Sequence, residues 1–99
     1  MSAAIPIETY SERAGTDSLA NLARGERARI VDVVERGANV PQETLDRLRD
    51  LGFVPGEIVR VLARGPLGGE PLAIRVGTST FALRRYEADC ILIAPLNRV

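Results

Sequence analysis

After Gly52 apolar and polar residues alternate, whereas one stretch before it places leucines every three residues. Glu26 to Glu35 holds Ile30, Val31, Val33 and Val34, a β-branched run that predicts a strand, ended by Gly37, Ala38 and Asn39. Pro41 suits the first position of a helix, where its missing N–H costs nothing. Leu45, Leu48 and Leu51 follow on one helical face, with Glu43, Asp46, Arg47, Arg49 and Asp50 around the rest. Gly52 is expected to end the helix in the left-handed conformation, which a residue with a Cβ reaches only at a cost of ~1–2 kcal/mol. Glu57 to Arg64 predicts a strand with Val59, Val61 and Ala63 on one face and Ile58, Arg60, Leu62 and Arg64 on the other. Leu72, Ile74 and Val76 alternate with Ala73 and Arg75 in the next strand. Gly77 to Ser79 makes a tight link to Phe81 and Leu83, Arg84 to Asp89 reads as one helical turn, and Ile91 to Ile93 forms the last strand.

Upstream, Met1 to Asp17 carries no periodic apolar pattern and predicts a flexible arm. Ser18 is expected to cap a short turn that points Leu19 and Leu22 inward before Gly25 stops it. The organisation expected is an arm over 1–17, one domain over 18–95 and a tail over 96–99. Its class is mainly β: a small barrel of about five strands, with one α-helix inserted between the first two. Five strands in a 99-residue chain cannot bury both faces as an open sheet, and curling hides the apolar face and the edges.

Hydrophobic residues make up 45% of the chain, enough to fill a core without staples. A single cysteine cannot form an internal disulfide, which fits a reducing compartment. No apolar stretch approaches the roughly 18 residues of a spanning helix, and the N-terminus lacks the pattern of a signal peptide. The location expected is therefore cytoplasmic, without direct membrane insertion. All 13 basic residues are arginines, balanced by 13 acids, so nothing draws the whole chain to a nucleic acid. The charge is nonetheless uneven. Arg60, Arg64, Arg75, Arg84 and Arg85 face a single acid, Glu70, in their segment. Such a run is a solvated surface or a docking face for an acidic partner.

The run LDRLRDLGFVPGEIVRVLARGPLGGEPLAIRVGTSTFALRRYEADCILI, from Leu45 to Ile93, closely resembles the FeoA family. The family's Leu-Gly-Phe-x-Pro-Gly block is matched by Leu51, Gly52, Phe53, Pro55 and Gly56. Its Pro-Leu-Gly turn is matched by Pro66, Leu67 and Gly68, and its arginine-bearing strand by Ile74, Arg75 and Val76. Leu83, Arg84, Glu87 and Ala88 resemble its ending, and Leu19, Leu22, Gly25 and Ile30 its opening. The resemblance implies an SH3-like barrel and a role in ferrous-iron uptake, exercised by contact with FeoB, a membrane permease with a cytosolic GTP-binding domain. The same barrel is similar to the C-terminal domain of metal-dependent repressors, which implies a regulatory module as the alternative. A homo-oligomer is compatible with either.

Two loops combine structure with a candidate surface. In the first, Gly52 caps the helix, Phe53 plugs the core, and Pro55-Gly56 suits a type II turn that presents Val54. In the second, Pro66 to Gly69 is a hairpin connection whose exposed Leu67 could enter a pocket on a partner. Arg75, Arg84 and Arg85 complete the candidate partner-binding set. Arg84 and Arg85 are either a solvated pair beside Glu87 and Asp89 or a clamp for carboxylate or phosphate. Tyr86 and Cys90 are given no role.

Catalysis is not expected. There is no histidine for base work near neutral pH and no phosphate-binding GxxxxGK[ST] loop. A tight intramolecular metal site is not expected either, because imidazole is absent and Cys90 is the lone thiol. Glu87 and Asp89 remain candidates for a weak surface or intermolecular divalent ion. No cofactor is implied. Two Phe, two Tyr and no Trp argue against an aromatic groove for proline-rich peptides.

Overall fold

The computed structural model describes residues 17–36 and 39–96. Residues 1–16 of the expected arm over 1–17, residues 37–38 of the expected break at 37–39 and residues 97–99 of the expected tail over 96–99 lie outside the described residues. The elements are β1 (Asp17–Ser18), a 3-10 turn (Leu19–Asn21), β2 (Arg27–Val33), α1 (Gln42–Leu51), β3 (Ile58–Gly65), β4 (Gly69–Val76), β5 (Ser79–Leu83), α2 (Arg85–Ala88) and β6 (Ile91–Pro95). All paired strands are antiparallel, in the order β1-β6-β2-β3-β4-β5.

Three expectations need correction. The described strands number six, not five, because the two residues of β1 pair with β6 through Asp17–Ile93 and Ser18–Leu92. Two residues are too few to alternate, so no sequence pattern could announce them. Asp17 therefore belongs to the sheet rather than to an arm, and α1 falls between the second and third strands. The sheet is also not closed into a barrel, since β1 and β5 end the order without pairing to each other. Five-residue β5 is a short edge with Ser79, Thr80 and Ala82 exposed, a polar and small edge that resists further pairing. Finally, Ser18 makes no side-chain cap; its hydroxyl donates to Asp89 Oδ1 at 2.8 Å, tying β1 to the end of α2.

The core forms where the alternating faces meet. Ile30, Val33, Val59, Val61, Leu72, Ile74, Leu83, Ile91 and Ile93 are buried from the strands, Leu45 and Leu48 from α1, and Leu19 and Leu22 from the first turn. Two register shifts interrupt the alternation along the strands. Between Ile30 and Asp32 the β2–β6 pairing slips, so that Val31 is exposed while Ile30 and Val33 both point inward. Between Val61 and Ala63 the β3–β4 pairing slips as well, and Ala63 is exposed rather than sharing the buried face of Val59 and Val61.

Candidate functional site

The first candidate loop is a helix stop joined to a turn. Gly52 has φ 117°, its N–H donates to Arg49 O at 3.0 Å, and the Phe53 N–H donates to Leu48 O at 3.1 Å. These bonds satisfy carbonyls that the end of α1 leaves unpaired. Phe53 is thereby directed into the core, fully buried and 6.0 Å from the ring of Phe81. Leu51 is half-buried against the core. Pro55 and Gly56 turn the chain back, with Gly56 at φ 95° and its N–H donating to Ile30 O at 2.8 Å. Val54 is left exposed at the crest.

The second loop is the β3–β4 hairpin. Pro66 is exposed and Gly68 has φ 67°. Leu67 between them is 81% exposed, the most exposed large apolar side chain among the described residues. Pairing of Leu72 with Leu83 carries Arg84 to the base of this hairpin, where its Nη1 lies 3.8 Å from Glu70 Oε1. Arg84 and Arg85 are both exposed, so this ion pair is solvent-screened and leaves them accessible.

The structure does not bring the expected partner residues into one place. Val54 precedes β3 and Leu67 follows it, so they lie at opposite ends of an eight-residue strand, roughly 26 Å long at about 3.3 Å per residue. Arg75 pairs with Thr80 near the Val54 end, while Arg84 and Arg85 share the Leu67 end. Two surfaces result: Leu67 with Arg84 and Arg85, and Val54 with Arg75.

Glu87 and Asp89 are committed to internal bonds. Glu87 is buried; its Oε1 accepts the Arg84 N–H at 2.8 Å and its Oε2 accepts from the Arg47 guanidinium. Asp89 Oδ1 is taken by Ser18. Among the described residues no three of His, Cys, Asp and Glu converge as a metal site would require. Glu87→Ala is expected to destabilise the protein by about 2 kcal/mol, since it orphans a backbone donor and a partly desolvated guanidinium. Glu87→Gln keeps an acceptor for Arg84 and should recover much of that loss in urea melts.

Cys90 is buried and its thiol donates to Tyr86 O at 3.4 Å. Burial pushes the thiol pKa up from its ordinary value, and the nearby carboxylates of Asp89, Glu35 and Glu87 add to the rise. An unfolded chain, whose thiol keeps the ordinary pKa, ionises first as pH increases. The neutral folded thiol therefore contributes its full stability below the unfolded pKa, and that contribution is lost as pH rises towards the folded one. Native protein is expected to resist iodoacetamide at neutral pH, with modification appearing only on unfolding; rapid native labelling would contradict the burial.

Three arginines have structural duties that pattern reading missed. Arg47 bonds α1 to Glu87 of α2, Arg49 Nη2 donates to Val33 O at 2.7 Å, and Arg64 Nη2 donates to Ala20 O at 2.7 Å and Leu22 O. Each fastens a helix or turn to a distant element. Their partners are 16 to 44 residues away, beyond any local signal.

A family model described as the FeoA domain matches residues 18–95. The chain belongs to the FeoA family. Among solved structures, FeoA of Stenotrophomonas maltophilia complexed with zinc is 40% identical, with a TM-score of 0.70 and 84% of this chain aligned to 99% of that one. It is described as an SH3 domain protein and a candidate ferrous-iron-transport activating factor. FeoA of Chlorobium tepidum is 33% identical over 82% of this chain and 71% of that chain, with a TM-score of 0.68. A manganese-dependent transcriptional repressor aligns at 18% identity and a TM-score of 0.66, over 81% of this chain and 41% of its own length. At that identity the likeness concerns the fold alone. No match was found among curated protein sequences. In this FeoA-family chain no helix of the described residues is long and apolar enough to cross a membrane.

Proposed function

We propose that this FeoA-family chain is a cytoplasmic accessory protein of ferrous-iron uptake, acting by contact with FeoB or its GTP-binding domain and not by turnover of its own. The observation that carries the contact is Leu67. An aliphatic side chain 81% exposed on a hairpin tip adds nothing to the core, whereas in a partner's pocket it would lose water and contribute. Arg84 and Arg85 flank the same end and supply charge for orientation. The description of the S. maltophilia protein as a candidate activating factor supports the same direction.

The test is capture of FeoB's cytosolic domain by the immobilised chain, with and without nucleotide. Leu67→Arg is expected to weaken capture by about tenfold or more, the scale of one interface anchor, with an unchanged melting temperature. Undiminished capture by the folded variant would count against Leu67, and no capture by the wild type against the whole reading. A regulatory module related to repressor domains remains the second reading; the shared fold supports it. Neither reading needs a tight metal site, and anaerobic calorimetry is expected to show no single-site ferrous binding tighter than micromolar.

A further inference from the structure

Arg75 is one member of a row. The registers of β2, β3 and β4 place Arg27 opposite Arg60, and Arg60 opposite Arg75. Thr80 of β5 continues the line. All three arginines are exposed, while Ala28, Val59, Val61, Ile74 and Val76 beside them in sequence are buried. Their side chains therefore leave the same outer face. Directly opposite residues sit about 5 Å apart, so three guanidinium stems cross the sheet within about 10 Å.

Like charges in that arrangement repel, and folding alone gives no reason to align them. Nor do the described residues neutralise them within ion-pair distance. The ion pairs among the described residues are Arg47–Glu87, Arg49–Asp46 and Arg84–Glu70, none in the row. Arg60 Nε donates to Gly25 O at 3.1 Å, which fixes its stem and leaves both terminal nitrogens without a protein acceptor among those residues. The row borders a shallow cavity of ≈ 270 Å³ that Gly56, Glu57, Ile58 and Gly77 also line. Glu57 is the one carboxylate there, against three arginines.

We propose that this row is a docking surface for an acidic segment of a partner protein, with Asp or Glu carboxylates seated between neighbouring guanidinium groups. Arginine's planar guanidinium donates well to carboxylates, and a row of three leaves two gaps in which a carboxylate can bridge neighbouring groups. Half-buried Ile58 gives the cavity an apolar wall for the residues between the acids. Glu57 on the rim would repel a densely phosphorylated surface, which favours a peptide carrying spaced carboxylates over a lipid headgroup layer. The row lies at the Val54 end, away from Leu67, and so forms a second contact surface; only the identity of the partner, not the row, rests on the iron-uptake reading.

The experiment is a titration of the isotope-labelled full chain with a hexaglutamate peptide, following the arginine Nε–H resonances. Saturable shifts are expected at Arg27, Arg60 and Arg75, weakening as salt is added. The double variant Arg27→Gln with Arg75→Gln, which leaves the Arg60–Gly25 bond in place, should lose about tenfold in affinity or more while melting no lower than the wild type, because it removes repulsion from the sheet. Shifts spread evenly over all arginines, or confined to Arg84 and Arg85, would overturn the proposal. Equal binding by the double variant would do the same. So would a response of the row to inorganic phosphate or phosphatidylglycerol vesicles with none to the peptide. The peptide readout is independent of FeoB: if capture of FeoB fails while these shifts stand, the uptake reading falls and the row remains.

Discussion

Phe53→Ala is expected to lower the unfolding free energy by about 3–5 kcal/mol. Small domains are stable by only about 5–15 kcal/mol, so the loss takes a large share of the total. Phe53 is fully buried, one of two phenylalanines in the chain, and its ring meets Phe81 at 6.0 Å and 56°. Truncation removes the largest core side chain and leaves a cavity that cannot collapse easily. The backbone that carries the ring is held in place by the hydrogen bonds at the end of α1, including the Phe53 N–H to Leu48 O. Urea denaturation should show a lower midpoint with an unchanged slope. A loss below about 1.5 kcal/mol would mean that the ring is not part of the packed core.

Gly65→Ala is expected to cost about 3 kcal/mol, the upper part of the usual range for forcing atoms into a filled space. A Cβ at Gly65 would lie 1.9 Å from Glu70 O, 2.4 Å from Glu70 C and 2.8 Å from Pro71 N. All three are backbone atoms of the facing strand, so no rotamer change relieves the clash. The β3–β4 hairpin must open beside its turn, where Gly65 pairs with Gly69. Gly68→Ala provides the contrast. It meets nothing within 4 Å and bears only the left-handed backbone cost, about 1–2 kcal/mol. Thermal melts that rank Gly68→Ala as the worse variant would refute the steric argument. Under the proposed contact of Leu67 with FeoB, Gly65→Ala should also reduce capture, by displacing the tip instead of altering its chemistry.

The strand β4 shows how far local pattern reaches. Leu72, Ile74 and Val76 face inward and Arg75 outward, as their alternation predicts, because regular pairing with β5 preserves the period of two. The helix α1 and its Gly52 stop are equally legible, since spacing and backbone freedom act within one turn. Where pairing slips, the pattern misleads: Ala63 is exposed although alternation groups it with buried Val59 and Val61, and the β-branched run around Val31 gives no face at all. The candidate surface was legible one residue at a time. Val54, Leu67, Arg84 and Arg85 are exposed as their loops and turns suggest, and Arg75 as its strand suggests. Their division between two ends of the sheet was not, because it depends on the length of β3 and on which strands are neighbours.

The sequence by itself determined the β-rich class, the helix and its stop, the loops that present Leu67 and Val54, and membership of the FeoA family, all of which rest on contacts within a few residues or on ordered motifs. Only the tertiary structure decided that the sheet stays open between β1 and β5, that Glu87 and Asp89 are spent on internal bonds, and that Arg27, Arg60 and Arg75 stand in one row. Those three arginines are 33 and 15 residues apart along the chain. What joins them is the register of antiparallel strands, a property of pairing over long sequence distances that no local spacing encodes.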